Sequence, residues 1–521
     1  MIERLYIKLN FFSTFQQVPS VTAGNALRVV VVPVLACLLL WLVWSRRRRH
    51  PNWNKLPPGP KGLPLVGNLP FLSKCFDPAQ CKAWAQKYGP VFRINMGPGN
   101  AVILNDFNSI KKFFCKREVL YRPSDWILTH SGVVGVATVN GKAWVDNRRF
   151  CMQVLRDLGV GKKSMEKHIQ EESQYLVEKI AETKGRATDA QEFLTPSVSN
   201  NITALVFGRR YPYEDASRKY MDDRLERVIK VLSTGSIVGI LPAWVFSILV
   251  RIPSTTSNVI KTIADDLLGY ASQKVKEHLE SSELRAERDF IDRYLSKIKE
   301  HDWNPDSSFT MNHLLGNVLS FFIAASNTVR TSVQWHLLCL AANRDTLQLR
   351  IQREIDEAVG KDRAPTWEDR EKMPFTVASI WEMYRWRTDS PFGVPRAAGE
   401  DTFFGEYFIP KGTIVMANFR AVHSNPKLWK NPEHFDPTRF LTEGGEDLAP
   451  KPEYLIPFSV GKRMCPGETL TTVEIFLYLT SLLQRFDILP EEGKAINLTP
   501  VSVTFNIPFP QNLRFVPRCK D

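Results

Sequence analysis

The sequence lacks any C-x-x-C pair, although its 521 residues include eight cysteines. Cysteines scattered in this way argue against a disulfide scaffold and a zinc ribbon, and they indicate a reducing compartment for the folded part. Signatures of zinc fingers, helix-turn-helix motifs and RNA platforms are also missing, so we expect no nucleic-acid partner despite a formal net charge of +13. An anionic membrane, an acidic protein partner or a merely soluble surface remain as explanations of that charge.

An apolar run near the N-terminus, Val29–Trp44, is followed by four arginines, Arg46–Arg49. Extended to residues 26–45, the run reaches about 30 Å as a helix, the thickness of a bilayer core. We therefore predict a transmembrane anchor at 26–45, and the arginines favour a cytoplasmic location for the chain on their C-terminal side. A cleaved signal peptide is the weaker alternative, because the positive charge comes after the apolar run. Residues 1–25 form an N-terminal tail, either lumenal or a weak targeting sequence.

A proline-rich stretch, Leu56–Pro64, comes after the arginines. Proline fixes φ and removes backbone donors, so this stretch suits a semi-rigid extended spacer and not a helix. We expect a basic and proline-rich hinge at 46–64 and a single globular catalytic domain at 65–521.

The most informative motif is the segment Phe458–Gly467, which reads FSVGKRMCPG. We interpret it as a loop that enters a helix, with Pro466 at the first helical position and an apolar helical run at 469–483. Cys465 then lies at or near the helix N-terminus, where the helix dipole is expected to lower its pKa. Gly461 permits a tight turn or bulge.

The other side chains of this segment fit an iron porphyrin. Cys465 supplies a thiolate to the iron, Arg463 a forked cation for a propionate, and Phe458 an aromatic face beside the ring. A lone cysteine is more often a small buried hydrophobe, but the ten-residue pattern argues against that interpretation. Phe-x-x-Gly-x-Arg-x-Cys-x-Gly resembles the haem-binding loop of the cytochrome P450 family of haem-thiolate monooxygenases. The resemblance runs from about Leu56 to Arg518, together with the anchor.

This resemblance implies a mainly α fold with small β-sheets behind one N-terminal transmembrane helix. The proline-rich hinge looks like that of the animal microsomal branch, which handles xenobiotics and steroids, so a single-pass protein of the endoplasmic reticulum membrane is expected, its catalytic domain facing the cytoplasm. Haem with a cysteine thiolate axial ligand is the implied cofactor. Trp144, Arg148 and Arg396 match the family's propionate donors. A Glu382–Arg385–Arg439 network is implied in the proximal core.

A long helix is expected at Asn312–Ala342, since no proline occurs between Asp306 and Ala364. Its middle, Phe321–Val329, resembles the family's oxygen-binding segment. Ala324 and Thr328 share a face of this helix, and Thr328 matches the threonine that helps to protonate bound oxygen.

Two positions of that segment depart from the family pattern. Ala325 replaces the usual glycine, and Asn327 replaces the usual acid. Asparagine cannot ionise, although it can orient a water molecule. We therefore predict slower or leakier oxygen activation than an acid would give. The departure also leaves open an isomerase, dehydratase or peroxide-using enzyme, and a haem sensor or binding protein without turnover.

Electrons for a monooxygenase must come from outside, because the chain has no nucleotide-binding glycine loop. The resemblance implies an NADPH–cytochrome reductase, a flavoprotein, and also cytochrome b5. Basic residues for docking are Lys142, Arg149, Lys451 and Lys462, although a solvated face is an equally good explanation. The substrate is expected to be a lipophilic small molecule, held by segments that are mostly apolar: the loop of Trp126, Phe321–Ala325, Phe392–Val394 and Thr504–Asn506. The apolar stretch Val238–Phe246 either touches the membrane, lines an entry path or is ordinary core.

Overall fold

The computed structural model describes residues 50–518 except 65, 73–76, 98, 125, 234–242, 281–287 and 503–504. The tail at 1–25, the anchor at 26–45 and most of the Val238–Phe246 stretch lie outside the described residues. Within the described ranges, no helix is both long enough and apolar enough to cross a bilayer.

The chain divides into two compact units, residues 1–56 with 406–408 and residues 57–405 with 409–521. In the small unit, His50 caps a short 3-10 helix at Pro51–Lys55 and stacks on Phe408 with ring centroids 4.4 Å apart. The large unit carries all of the predicted site residues.

Helices dominate the large unit, as predicted. In chain order they are α1 (Pro78–Tyr88), α2 (Phe107–Phe114), α3 (Ile127–His130), α4 (Gly141–Asp157), α5 (Lys163–Ala181), α6 (Gln191–Phe207), α7 (Ala216–Ser233), α8 (Ala243–Leu249), α9 (Thr256–Glu280), α10 (Phe290–Glu300), α11 (Met311–Ala342), α12 (Leu349–Ala358), α13 (Pro374–Trp386), α14 (Phe419–His423) and α15 (Glu468–Arg485). Short 3-10 helices occur at Leu69–Phe71, Arg117–Val119, Trp367–Lys372 and Pro437–Phe440, and a π-helical turn at Arg344–Gln348.

The strands are short and form small sheets. They are β1 (Val91–Met96), β2 (Gly99–Leu104), β3 (Thr188–Asp189), β4 (Arg396–Ala397), β5 (Thr402–Phe404), β6 (Tyr407–Ile409), β7 (Ile414–Ala417), β8 (Phe486–Pro490) and β9 (Asn512–Pro517). One sheet has the order β1-β2-β7-β4, with β2 and β7 parallel and the other pairs antiparallel. A second has the order β3-β9-β8. The mainly α fold with small sheets is confirmed.

The predicted long helix is confirmed as α11, which begins one residue earlier than expected. The Thr310 side chain caps it by accepting a hydrogen bond from the His313 backbone N–H. Most of α11 is buried, and it packs against α6, α9 and α15 in the centre of the unit. A helix buried on nearly all sides is expected to be apolar around its circumference, so its buried polar side chains require separate explanations.

The predicted helix after Cys465 is confirmed as α15, but its start was placed wrongly. Gly467 is the N-cap, so Pro466 precedes the helix and does not occupy its first turn. Cys465 therefore lies two residues before the cap, in the preceding loop, and is further from the helix than the sequence pattern alone indicated.

The Glu382–Arg385–Arg439 network is present and buried. Arg385 Nη2 lies 2.7 Å from Glu382 Oε1, and Arg439 Nε lies 3.1 Å from Glu382 Oε2. The remaining Arg385 donors reach the carbonyl oxygens of His423, Pro432 and His434. A buried ion pair is tolerated only when its remaining hydrogen-bond donors are satisfied, and here those donors tie α13 to the end of α14 and to the segment that follows it.

Candidate cofactor site

The segment Phe458–Gly467, called here the Cys465 loop, is closed by its own backbone. The Cys465 N–H donates to the Phe458 carbonyl oxygen at 2.8 Å, and the Met464 N–H donates to the Gly461 carbonyl oxygen at 2.9 Å. The Gly467 N–H points at the Cys465 sulfur, with 3.4 Å between N and Sγ. The side chain of Cys465 is exposed, so its sulfur remains available to a ligand.

Only glycine fits at position 461 of this loop. Its φ is +76°, and an added Cβ would lie 2.5 Å from the Phe114 carbonyl oxygen at the end of α2. Both the left-handed backbone and the close approach therefore require glycine. The predicted tight turn is confirmed, and it brings the Cys465 loop against α2.

The pKa of Cys465 does not follow the sequence-based prediction. Desolvation by the surrounding protein raises the pKa of this thiol, and the Gly467 N–H and the Arg148 charge offset that effect only in part. The sequence analysis expected the helix dipole to lower the pKa of Cys465 and neglected desolvation. With the protein groups alone, that prediction is wrong. A metal ion bonded to the sulfur would favour the thiolate.

Phe458 and Trp144 contribute apolar surface to the site. Phe458 packs edge-on against Tyr384, with ring centroids 5.1 Å apart. Trp144 is buried on α4, and the Arg463 guanidinium lies over its ring, 4.0 Å from the centroid. The structure thus joins the Cys465 loop to α4 by a cation–π contact.

The three predicted arginines all reach this region. Arg463 donates to the carbonyl oxygens of Leu120 and Val139 at 2.8 and 2.7 Å. Arg148 Nη2 donates to the Met464 carbonyl oxygen at 2.7 Å, next to Cys465.

Arg396 reaches the Cys465 loop from β4. It donates to the carbonyl oxygens of Phe114 and Val460, both at 2.7 Å. The Phe114 oxygen that it binds is also the atom that Gly461 approaches.

A fourth arginine, Arg122, was missed by the sequence analysis. Its guanidinium donates to the carbonyl oxygens of Ala137 and Pro395, both at 2.9 Å, and its backbone N–H donates to Asn140 Oδ1 at 2.7 Å. Asn140 Oδ1 also accepts from Arg463 Nη2 at 3.2 Å. An isolated Tyr-Arg-Pro sequence carries no spacing signal, so only the three-dimensional arrangement identifies this residue.

These four side chains, Arg122, Arg148, Arg396 and Arg463, form what we call the arginine cluster. Burial and the neighbouring arginine charges lower the pKa of Arg463 to about 8, of Arg396 to about 9 and of Arg122 to about 10. Within the described residues, no carboxylate pairs with any of the four. Positive charges gathered in a low dielectric without counter-charges fit an anionic ligand that carries carboxylates. The donor set thus fits the two propionates that the predicted haem would carry.

The middle of α11 has one exposed position, Ala324. Ala324 is exposed although the helix around it is buried, as expected where small residues let a ligand approach. The Thr328 hydroxyl donates to the Ala324 carbonyl oxygen at 2.7 Å, a common bond for a threonine within a helix. Asn327 is buried, and its Oδ1 accepts a hydrogen bond from Arg330 Nη2 at 3.2 Å.

Two of the predicted docking residues carry acidic partners. Lys142 lies 2.7 Å from Asp146, and Lys451 lies 2.8 Å from Glu468. These pairs reduce the net positive charge of the predicted patch, so the patch stays a prediction.

Comparison with known proteins gives consistent matches over nearly the whole chain. The family model described as Cytochrome P450 matches residues 57–511. The chain is 35% identical to Cytochrome P450 2C28 of Mesocricetus auratus, over 94% of this chain and 99% of the relative. It is 35% identical to Cytochrome P450 2H2 of Gallus gallus, over 93% and 98% of the two chains. It is 32% identical to Cytochrome P450 2A13 of Homo sapiens, over 94% and 99%.

Proposed function

This chain belongs to the cytochrome P450 family, and on that premise we propose which of its residues hold the haem, manage protons and meet its partners. The protein is a haem-thiolate monooxygenase that transfers one oxygen atom from O2 to a lipophilic small molecule such as a xenobiotic or a steroid. When bound, the haem supplies the redox chemistry that activates dioxygen, with electron density from the axial sulfur. Its electrons come from a reductase.

Cys465 is proposed as the axial ligand and the metal-binding residue. The supporting observation is an exposed sulfur that receives the Gly467 N–H while its own backbone N–H is fixed to Phe458. A hydrogen bond to sulfur stabilises the anionic form and orients it. Gly461 keeps the loop against α2, and Phe458 lies beside the ring.

The arginine cluster and Trp144 are proposed to hold the propionates. Arg148, Arg396 and Arg463 were expected in this role, and Arg122 joins them because its guanidinium contributes to the same uncompensated charge. Two carboxylates at this position would relieve the mutual repulsion of four clustered cations, of which Arg122, Arg396 and Arg463 are buried. The guanidinium N–H groups that donate to backbone carbonyl oxygens can instead donate to a propionate, which gives stronger charge-assisted hydrogen bonds.

Thr328 and Asn327 are proposed as the residues that control protons on the distal side. The Thr328 hydroxyl donates its hydrogen bond to the Ala324 carbonyl oxygen, so its oxygen lone pairs can accept a hydrogen bond from a water molecule. Asn327 cannot ionise, so it can orient a proton donor but cannot replace a carboxylic acid.

The N-terminal region and the surface charge support a proposal about location and further partners. Residues 26–45 anchor the protein in the endoplasmic reticulum membrane as a single pass, 46–64 is the hinge, and the catalytic domain at 65–521 faces the cytoplasm. The reductase is proposed to dock on the basic residues near the Cys465 loop and α4, and cytochrome b5 to share that surface.

The activity is tested with purified haem-loaded protein and a screen of steroids and lipophilic xenobiotics for ligand-induced haem spectral shifts. Compounds that bind are then incubated with NADPH, reductase and isotopically labelled dioxygen. We expect a product that carries one labelled oxygen atom, formed only when the reductase is present. A product that forms without reductase and without label would instead identify the isomerase or dehydratase that Asn327 leaves open, and binding without any turnover would identify a sensor.

A further inference from the structure

Arg330 is a buried arginine in the middle of α11, two residues beyond Thr328. It is 4% exposed. Its Nη2 donates to Asn327 Oδ1 at 3.2 Å, whereas its Nε and Nη1 are buried without a hydrogen-bond partner among the described residues. A buried arginine with a single side-chain hydrogen bond is costly, so the position requires an explanation.

Carboxylates at longer range offset part of the cost of burying the Arg330 charge. Burial lowers the pKa of Arg330, while carboxylates from several other parts of the fold act in the opposite direction: Glu226, Asp189, Asp389 and Asp222. Arginine stays protonated in proteins, and here the surrounding acids favour the charged form. The guanidinium therefore remains a cation that only donates hydrogen bonds.

A partner that only donates fixes the orientation of an amide. Because Arg330 faces Asn327 Oδ1, the NH2 group of Asn327 must point to the other side of the amide. That nitrogen makes no hydrogen bond within the part of the chain that the structure describes. Thr328, the next residue, presents an acceptor, since its own proton is used on Ala324.

We propose that Arg330 is a positioning residue of the distal site, which fixes Asn327 as a hydrogen-bond donor beside Thr328 and prevents residue 327 from acting as an acid. The inference rests on the proposed function, since it concerns the residues that control protons there. It differs from the sequence-based expectation, which considered residue 327 alone. Restoring an acid at 327 would place a carboxylate against Arg330, where a charge-assisted hydrogen bond holds it ionised and unable to give up a proton.

The first test detects the proposed Asn327 hydrogen-bond donor by spectroscopy and needs no catalytic turnover. Infrared spectroscopy of the reduced, carbon monoxide-bound protein measures the C–O stretch, which shifts when a nearby donor is moved. We expect Arg330→Gln and Asn327→Leu to shift the band in the same direction, and the double variant to shift it no further. Glutamine can either donate or accept, so it no longer fixes the amide. Arg330→Lys keeps a donor-only cation and is expected to retain the original band.

Gln334, one turn along α11 and equally buried, is the matched control. Gln334→Leu removes a polar side chain from the same helix and is expected to leave the band unchanged. Additive shifts of Arg330→Gln and Asn327→Leu, or an Arg330→Gln band identical to that of the unaltered protein, would overturn the proposal.

The second test measures hydrogen peroxide released per NADPH consumed, with reductase and no added substrate. Asn327→Asp alone is expected not to reduce this leak, because the variant loses the amide donor while Arg330 holds the new carboxylate ionised and unable to supply a proton in its place. Asn327→Asp combined with Arg330→Gln is expected to reduce the leak severalfold, because the acid is then free to supply protons. A severalfold reduction by Asn327→Asp alone contradicts the proposal, and this single variant suffices if Arg330→Gln fails to load haem. Absence of a sulfur-ligated haem spectrum or of NADPH consumption in the unaltered protein would count against the proposed function instead.

Discussion

The Arg463 guanidinium lies over the Trp144 indole, 4.0 Å from the ring centroid, and this contact joins the Cys465 loop to α4. Both residues were expected near the propionates, but their stacking on each other was not. The contact places Arg463 among three other arginines, so the local fold gathers positive charge before any anion is bound. Much of the binding site is therefore organised by the protein itself.

The first prediction concerns Arg122, the cluster member that the sequence did not reveal. If Arg122 binds a propionate as proposed, Arg122→Met removes charge-assisted hydrogen bonds that are worth about 1.5–3 kcal/mol each. We expect haem to dissociate about tenfold faster or more, measured by transfer to an apoprotein acceptor. Arg156→Met, on the exposed side of α4, is the control and should leave the rate unchanged. An Arg122→Met rate equal to that of the control would remove this residue from the site.

Gly461 and Gly493 form a matched pair for the second prediction. Both have left-handed backbones, with φ of +76° and +73°, but only Gly461 would place a Cβ against another group. Gly493→Ala is expected to cost only the conformational penalty of about 1–2 kcal/mol. Gly461→Ala adds a clash with the Phe114 carbonyl oxygen and should also reduce haem content, measured per mole of protein. Similar haem content in the two variants would contradict a specific role for Gly461.

The third prediction concerns the buried Glu382 carboxylate. Glu382→Gln leaves Arg385 and Arg439 without their counter-charge, which is expected to lower the free energy of unfolding by about 3–5 kcal/mol. Glu371 pairs with Arg370 on the surface, so Glu371→Gln serves as the control and should cost less than about 1 kcal/mol. Denaturant titrations of both variants measure the difference, and equal costs would show that the network is not a structural centre.

His423 provides a prediction about pH. The Ile456 N–H donates to its Nε2 at 3.0 Å, and Thr388 already donates its hydroxyl proton to Tyr384, so His423 is held neutral with its proton on Nδ1. Burial, with a smaller contribution from the Arg385 charge, lowers the pKa of His423 from 6.5 to about 3. A group whose folded pKa is depressed contributes stability above its unfolded pKa, and that stability is lost as the pH falls from about 6.5 towards 3.

Unfolding measured between pH 7 and 4 tests this. We expect His423→Gln to show a shallower loss of stability with falling pH than the unaltered protein, with the difference confined to the range below about 6.5. His434→Gln, at an exposed position, is the control and should keep the original slope. Identical slopes for His423→Gln and the unaltered protein would show that this histidine does not titrate on unfolding.

The sequence predicted the elements with strong patterns and failed where the outcome depends on neighbours distant in the chain. The proline-free segment correctly predicted α11, because a long helix needs only an uninterrupted run of residues that are compatible with a helix. The start of α15 was misplaced, since a proline after a cysteine fits both the first turn and the residue before the cap. The lowered pKa of Cys465 was wrong because desolvation depends on packing that no local pattern reports.

Arg122 and Arg330 illustrate the same limit. Neither arginine lies in a motif with a recognisable spacing. The environment of each is formed by several chain segments that only the fold brings together. Thr328 and Asn327 were identified by resemblance, but the partner of Asn327 was visible only in the structure. Family patterns therefore locate the site. The effect of a residue that departs from the pattern, such as Asn327, depends on neighbours that only the three-dimensional structure shows.

The central claim is that the Cys465 sulfur binds the haem iron, and absorption of the reduced protein under carbon monoxide tests it most directly. We predict the strongly red-shifted band of a sulfur-ligated haem in the unaltered protein. The band should persist in Cys115→Ser, which changes another exposed cysteine, and disappear in Cys465→Ser. An unshifted band in the unaltered protein, or a red-shifted band that survives Cys465→Ser, would contradict the account.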